Sequence, residues 1–528
     1  MKVVLVAISA KHIHKTLAPW CLKAYAEDQG FQGKITVLEH TINDLAEKIV
    51  ASVYKEKPDI LGFSCYIWNI EMVKEVGAAV KKLLPDCRII LGGPEVSFEE
   101  DLSAFPFADG IISGAGEKVF FGILQNGGNP MRPVMADDNP PAFSALPSPY
   151  TKAYFDSLVK SHLVYYETTR GCPFRCAYCL SALSGAVESL PLTRVFQELR
   201  AFADRNVRCV KFVDRTFNAD KKRAYEILCF VRDLETETCF HFEAAPDLFD
   251  QPLLDVLDTL PPGRVQLEIG IQSVHEKTLA ACSRKTDLKK AFETIRRISK
   301  GGRVHTHVDL VAGLPFETLE SFIPAVNLCL HAEPHAVQLG FLKLLKGSRL
   351  RADQEKYGYL AFDGPPYELL KSDTLPYEAV LELKAVENLL DKYYNSGMFS
   401  RAVRYGMALF GGGYAFFAAF AAFLGEGAKP KTSLREAYRL LLIFLSKQGD
   451  EAMAKHLVKW DILAHDEKAV MPEGLERVRH RETEFHYLDR RGTVNIEYFA
   501  FDNTVRVFDL ASRHPVTGEL LLIEERVQ

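Results

Sequence analysis

The sequence predicts an α/β chain: a doubly wound parallel-sheet domain over residues 1–125, a linker over 126–160, a partial (β/α)6 barrel over 161–345, and a smaller α+β domain over 346–528. Three observations carry this reading. Short β-branched runs alternate with helical patterns in two separate stretches, as parallel sheets covered by helices require. A proline- and glycine-rich segment, residues 126–150, divides the two stretches. The length of 528 residues also exceeds what a single core fills.

In the front domain the strand candidates are Val3–Ala7, Lys34–Leu38, Ile60–Ser64, Arg88–Leu91 and Gly110–Ile112, with amphipathic stretches such as Glu71–Leu84 between them. A doubly wound, Rossmann-like order places a ligand at the carboxyl ends of the strands. Ser64, the Gly92-Gly93-Pro94 turn and Gly114-Ala115-Gly116-Glu117 sit there. Glycines let the backbone approach a large ligand, and equally make tight βα turns. His12, His14, Tyr66 and Trp68 fall on loops after the first and third strands, where they could line the same face.

The second alternation supplies strands at His162–Thr168, Val210–Val213, His241–Ala244, Gln266–Ile271, His305–Val311 and Ala336–Phe341. Helical patterns separate them, among them Thr193–Asp204, Lys221–Leu234 and Leu288–Ile298. Six βα units argue for an incomplete barrel, whose chemistry belongs at the carboxyl ends of its strands. Asp214, just after the second of these strands, is a candidate by that position alone.

The tail reads as helices at Tyr377–Tyr394 and Leu434–Leu445, followed by short strands over Val478–Leu510. Met407–Leu424 carries no charge over 18 residues, but its three consecutive glycines and six alanines predict a buried, closely packed helix over a membrane span.

A net charge of -5 and a pI near 6.3 give no basic footprint for a nucleic acid. The apolar run Val3–Ile8 is too short for a secretory signal and reads as a buried strand. Eleven cysteines without an export signal point to the reducing cytoplasm, where thiols stay free or bind metal.

Three of those cysteines, Cys172, Cys176 and Cys179, lie in one loop after the first barrel strand, in Gly171-Cys172-Pro173-Phe174-Arg175-Cys176-Ala177-Tyr178-Cys179. Offsets of four and three residues let three thiolates wrap one iron-sulfur cluster. A structural zinc would require a fourth ligand, and no cysteine or histidine follows closely. The trio therefore predicts a [4Fe-4S] cluster with one iron open to a cofactor.

The Cys-x3-Cys-x-aromatic-Cys pattern resembles the radical SAM superfamily. That resemblance implies that S-adenosylmethionine (SAM) chelates the open iron and is reductively cleaved to a 5′-deoxyadenosyl radical. Glu243, Gly270-Ile271-Gln272-Ser273, Arg284 and Asp309-Leu310-Val311-Ala312-Gly313-Leu314-Pro315 are similar to the SAM-binding positions of the oxygen-independent coproporphyrinogen oxidase branch. It implies hydrogen bonds from Glu243, Gln272 and Asp309 to the ribose and amino group, a pairing of Arg284 with the SAM carboxylate, and the Tyr178 backbone near the adenine.

Behind such a barrel, Pro58–Ser64, Gly92-Gly93-Pro94-Glu95 and Gly114-Ala115-Gly116-Glu117 resemble the cobalamin-binding domain of the B12-dependent radical SAM class, and the tail resembles a domain of unknown function found with some members. The Asp-x-His-x-x-Gly motif that gives cobalt a histidine in many B12 proteins is absent. The class implies methyl transfer from cobalamin to an unactivated carbon, with flavodoxin or ferredoxin as electron donor. Three alternatives stand beside it. A methylthiotransferase would need three more cluster cysteines, for which the front domain offers only Cys21, Cys65 and Cys87. The others are a B12-free radical SAM oxidoreductase and a non-catalytic iron-sulfur sensor.

Overall fold

The computed structural model describes residues 1–183, 186–425, 432–466, 470–479 and 494–527. They form two compact units, one of Met1–Glu243 with Lys343–Leu369, the other of Ala244–Leu342 with Leu370–Gln528.

The first unit opens with a parallel sheet in the order Lys34–Thr41, Lys2–Ser9, Ile60–Ser64, Arg88–Gly92, Gly110–Ser113, Val134–Ala136. The two-residue period of a strand sends successive side chains to opposite faces. Val4, Val6 and Ile8 therefore join Leu61, Phe63, Ile89 and Leu91 in one core, which the helices Ala46–Glu56 and Ile70–Leu83 cover. Val3 and Leu5 join Ile60, Ile90 and Ile112 in the other, under the helices Ala18–Asp28 and Glu117–Gln125. The near-continuous apolar reading of these strands follows from burial on both sides. The structure adds the sixth strand, Val134–Ala136, within the proline-rich stretch.

Strand order reverses between Lys2–Ser9 and Ile60–Ser64, the switch point where such sheets bind ligands. Barrel strands Leu163–Tyr166, Cys209–Phe212 and Cys239–Ala244 follow, each parallel to the next. The two-residue strand His14–Lys15 pairs with Leu163–Val164.

In the second unit, Val265–Gln272, His305–Ala312 and Ala336–Phe341 are parallel, so all six predicted barrel strands are present. Helices Leu288–Lys300 and Leu319–His331 connect them. The architecture is the α/β class the sequence predicts, with two parallel-sheet domains and a smaller α+β tail.

The tail holds the helices Tyr377–Leu389, Ser400–Leu409, Gly413–Leu424, Leu434–Gln448 and Glu451–His465, then the antiparallel strands Val494–Phe499, Thr504–Arg513 and Leu520–Val527. Of the predicted strands over Val478–Leu510, residues 480–493 lie outside the described residues. The uncharged Met407–Leu424 stretch is not one helix: it bends by 100° between Ser400–Leu409 and Gly413–Leu424. Glycine explains both the break and the packing. Gly411 takes a positive φ of 68°, and a Cβ on Gly406 would come within 2.2 Å of the Phe416 ring. Among the described residues no single helix is long and apolar enough to cross a membrane.

Candidate functional site

The cysteine loop is anchored before it begins. Asp214, almost fully buried, accepts hydrogen bonds from the backbone N–H of Thr168 at 2.7 Å and of Thr169 at 3.1 Å, and from the Thr168 hydroxyl. Burial raises its carboxyl pKa, against the lowering effect of those donors. Arg223 holds the same turn through the carbonyls of Leu190 and Thr168. Thr169–Arg170 then pairs with Glu188–Ser189. Gly171 follows at φ +101°, where a Cβ would stand 3.0 Å from the Ala186 carbonyl oxygen, so the bend into the loop requires glycine.

Cys172 and Cys176 are buried and Cys179 is half-buried. The Cys179 N–H donates to the Cys176 carbonyl at 3.1 Å, and Arg175 reaches the Ala182 carbonyl at 2.9 Å. Thr216 Oγ1 lies 3.7 Å from Cys172 Sγ. All eleven cysteines are free of disulfides. Among the described residues no three His, Cys, Asp or Glu side chains converge tightly enough to hold one metal ion. Three thiols within one eight-residue loop can serve three irons of a four-iron cluster and leave one iron over.

Cys21, Cys65 and Cys87 do not form a second trio. Cys65 and Cys87 sit in the core on one face of the front sheet, while the helix carrying Cys21 covers the other face. Burial pushes the Cys65 thiol up to about 12 and the Cys87 thiol to about 11.

In the same unit, Glu243 is partly exposed between the buried Phe242 and Ala244, on the opposite strand face. Tyr178 is half-buried within the loop.

In the second unit, Val265, Leu267, Ile269 and Ile271 point into the core, so Gln266, Glu268, Gly270 and Gln272 share the other face. Asp309 shares the matching face of its neighbour strand, in register with Gly270. At Gly270/Gln272 the register shifts and Gln272 adopts φ +69°, an uncommon state for a non-glycine residue. Its amide folds over Gly270, where a Cβ would come within 2.3 Å of it. Arg284 donates to the Gly270 carbonyl. Ser273 is fully buried beneath this bend, its hydroxyl donating to Glu317 and accepting from the His275 N–H at 3.1 Å. Glu317, 1% exposed, has its other carboxyl oxygen without a partner, and burial raises its pKa to about 8.

At the front domain, Ser64 and Gly92 are register partners at the strand ends. Gly93 has φ +112°, and a Cβ there would stand 2.5 Å from the Cys65 carbonyl oxygen. Gly114 also has positive φ, +75°, but a Cβ would meet nothing within 4 Å, so this turn opens outward. Gly116 starts the helix Glu117–Gln125. Asn69, buried, joins the ends of the switch-point strands by donating to the carbonyls of Ile8 and Ser64. Beside it the exposed Trp68 indole stacks on Tyr66 at 4.3 Å and 7°. An open glycine turn at one strand end and, beside the switch point, a stacked aromatic pair whose Trp68 ring is exposed fit a large ring ligand such as a corrinoid. His14 instead turns toward the second sheet, its Nδ1 2.9 Å from the Tyr165 hydroxyl, and His12 is exposed.

Asp214, Thr216 and Glu317 are the residues here whose roles spacing did not convey. Asp214 was visible only as a charged residue at a strand end.

Residues 3–124 match the B12 binding domain, residues 166–329 the radical SAM superfamily, and residues 355–503 a family of proteins of unknown function (DUF4080). Among curated relatives, the 2-(S-pantetheinyl)-carbapenam-3-carboxylate methyltransferase of Streptantibioticus cattleyicolor is 25% identical over 53% of this chain and 46% of its own length. The cobalamin-dependent radical SAM methyltransferase TokK of Streptomyces tokunonensis is 24% identical over 69% of this chain and 58% of its own. The chain thus spans about half the length of the curated relatives it matches. Among solved structures, the cobalamin-dependent S-adenosylmethionine radical enzyme OxsB shares the fold with a TM-score of 0.59 at 13% identity, over 88% of this chain and 79% of that one.

Proposed function

We propose, from the premise that the chain is a B12-binding radical SAM protein with a C-terminal domain of unknown function, that it cleaves SAM reductively and methylates an unactivated carbon of its substrate. The reading rests on one observation: three cysteines outside any disulfide in a single loop, two of them buried, entered through a turn that Asp214 fixes at the end of a barrel strand.

When bound, a [4Fe-4S] cluster supplies the electron that breaks the carbon-sulfur bond of SAM, and cobalamin supplies the methyl group. The Cys172, Cys176 and Cys179 thiolates would hold three irons. Asp214 orients the loop by fixing Thr168 and Thr169, and Gly171 allows its entry bend. Glu243, Gln272 and Asp309 would accept or donate hydrogen bonds to the ribose and amino group of SAM, and Arg284 would pair with its carboxylate. The Tyr178 backbone would border the adenine. Ser273 would act beneath Gln272, through its bonds to Glu317 and His275, as support for that bend. Ser64, Gly92, Gly93, Gly114 and Gly116 would form the corrinoid face, with Gly114 leaving open room. A cytoplasmic flavodoxin or ferredoxin would deliver electrons.

The test is anaerobic reconstitution with iron, sulfide and hydroxocobalamin. The expected result is about four irons and one corrinoid per chain, with 5′-deoxyadenosine formed on reduction with SAM. Cys176→Ala should lose the cluster absorbance and 5′-deoxyadenosine while keeping corrinoid. Retention of both by that variant overturns the cluster assignment, and cleavage by a wild type free of corrinoid favours the B12-free alternative.

A further inference from the structure

Each glycine turn of the corrinoid face ends in a glutamate, Gly92-Gly93-Pro94-Glu95 and Gly114-Ala115-Gly116-Glu117, and both glutamates are buried, at 2% and 6% exposure. Burying a carboxylate is costly unless it is paired. Both are paired, and both pairings lead to the cysteine loop within the same compact unit.

Glu117 accepts from Arg170, 3.1 Å away, and Arg170 stands two residues before Cys172. The guanidinium also bonds Glu167 at 2.9 Å and lies over the Phe143 ring, 4.6 Å from its centroid. Burial alone would lower the Arg170 pKa, but Glu167 and Glu117 overcome it and raise it.

Glu95 reaches the loop through residues 343–369, the segment that follows the last barrel strand. Its carboxylate accepts from the Tyr367 hydroxyl and faces Lys346 at 3.3 Å. Tyr367, held at φ +58°, accepts at its carbonyl from the Leu344 N–H, and its ring lies under Arg351. From the same segment the Leu350 N–H donates to the Ala177 carbonyl at 3.1 Å, between Cys176 and Cys179.

We infer that Glu95 and Glu117 are positioning residues that set the distance between the corrinoid face and the cluster loop, one tied to the loop's entry and one to its middle. The inference rests on the proposed function and goes beyond it, since it concerns neither ligand set. Two links at different points of the loop restrain tilt as well as separation. Transfer between two bound groups is sensitive to such restraint, because a misplacement of about 1 Å can cost roughly 100-fold in rate.

The experiment is pulsed dipolar electron paramagnetic resonance on reconstituted full-length protein, reading the distance between cob(II)alamin and the reduced cluster. The variants are Glu117→Gln, which removes a charge at constant shape, and Tyr367→Phe, which deletes one hydroxyl and leaves the buried charges in place. Wild type should give a single narrow distance. Each variant should hold both groups at wild-type stoichiometry and broaden or shift that distance, and the double variant should do so more. An unchanged distance in all three overturns the inference while leaving the proposed function intact. So does a loss of bound groups that simply tracks a lowered unfolding temperature in every variant. A wild type that takes up iron but no corrinoid overturns the cobalamin reading and this inference with it.

Discussion

Glu317 shows how one buried residue can carry a measurable signature. Its carboxyl sits beneath the Gln272 bend with one oxygen bonded to Ser273, and burial lifts its pKa from the ordinary 4.5 to about 8. Between those values the folded chain keeps a proton that the unfolded chain has released. The resulting stability is complete below about pH 4.5 and is lost as pH rises through about 8. Glu317→Gln, a neutral mimic, should therefore flatten the pH dependence of the urea midpoint between pH 5 and 8, with wild type falling relative to the variant as pH increases. Equal slopes would show that the carboxyl is already ionised at pH 5. Nothing near Glu317 in the sequence announces this role, because its partner Ser273 lies 44 residues away.

At the scale of elements, the glycine turns at the front-sheet edge divide into two kinds. Gly93 has a positive φ and no room, since the Cys65 backbone occupies the place of a Cβ. Gly114 has a positive φ and open space. Gly93→Ala should cost more than the roughly 1–3 kcal/mol of backbone strain alone, because the turn must also move away from Cys65. Gly114→Ala should cost only about 1–2 kcal/mol of left-handed strain, yet its methyl would project onto the proposed corrinoid face and weaken corrinoid retention. Urea unfolding and equilibrium dialysis with hydroxocobalamin separate the two effects. Equal retention by Gly114→Ala and wild type would remove that turn from the binding face. Both turns were legible as motifs, but their difference was not, because a glycine's space is made by other strands.

For the whole molecule, the matched families follow the chain in sequence, whereas the compact units do not: the second unit begins at Ala244, inside the radical SAM match. Two bound groups held by different residue sets should contribute separately to stability. A ligand at a hundred times its dissociation constant adds about 2.7 kcal/mol, so thermal unfolding should shift upward stepwise with cluster and with corrinoid. Cys176→Ala should lose only the iron step. A variant that loses both steps would place the two groups under one determinant. By itself, the sequence determined the α/β alternation, the cysteine trio and the glycine turns, since these arise from periodicity and spacing within a few residues. It also determined that Met407–Leu424 would pack through glycines, though not that it bends. Only the tertiary structure decided that Asp214 pins the loop entry, that Glu117 meets Arg170 53 residues on, and that Glu95 meets Tyr367 272 residues on. Local pattern records which face a residue turns to the core, but a buried charge finds its partner only when distant segments of the chain are folded against one another.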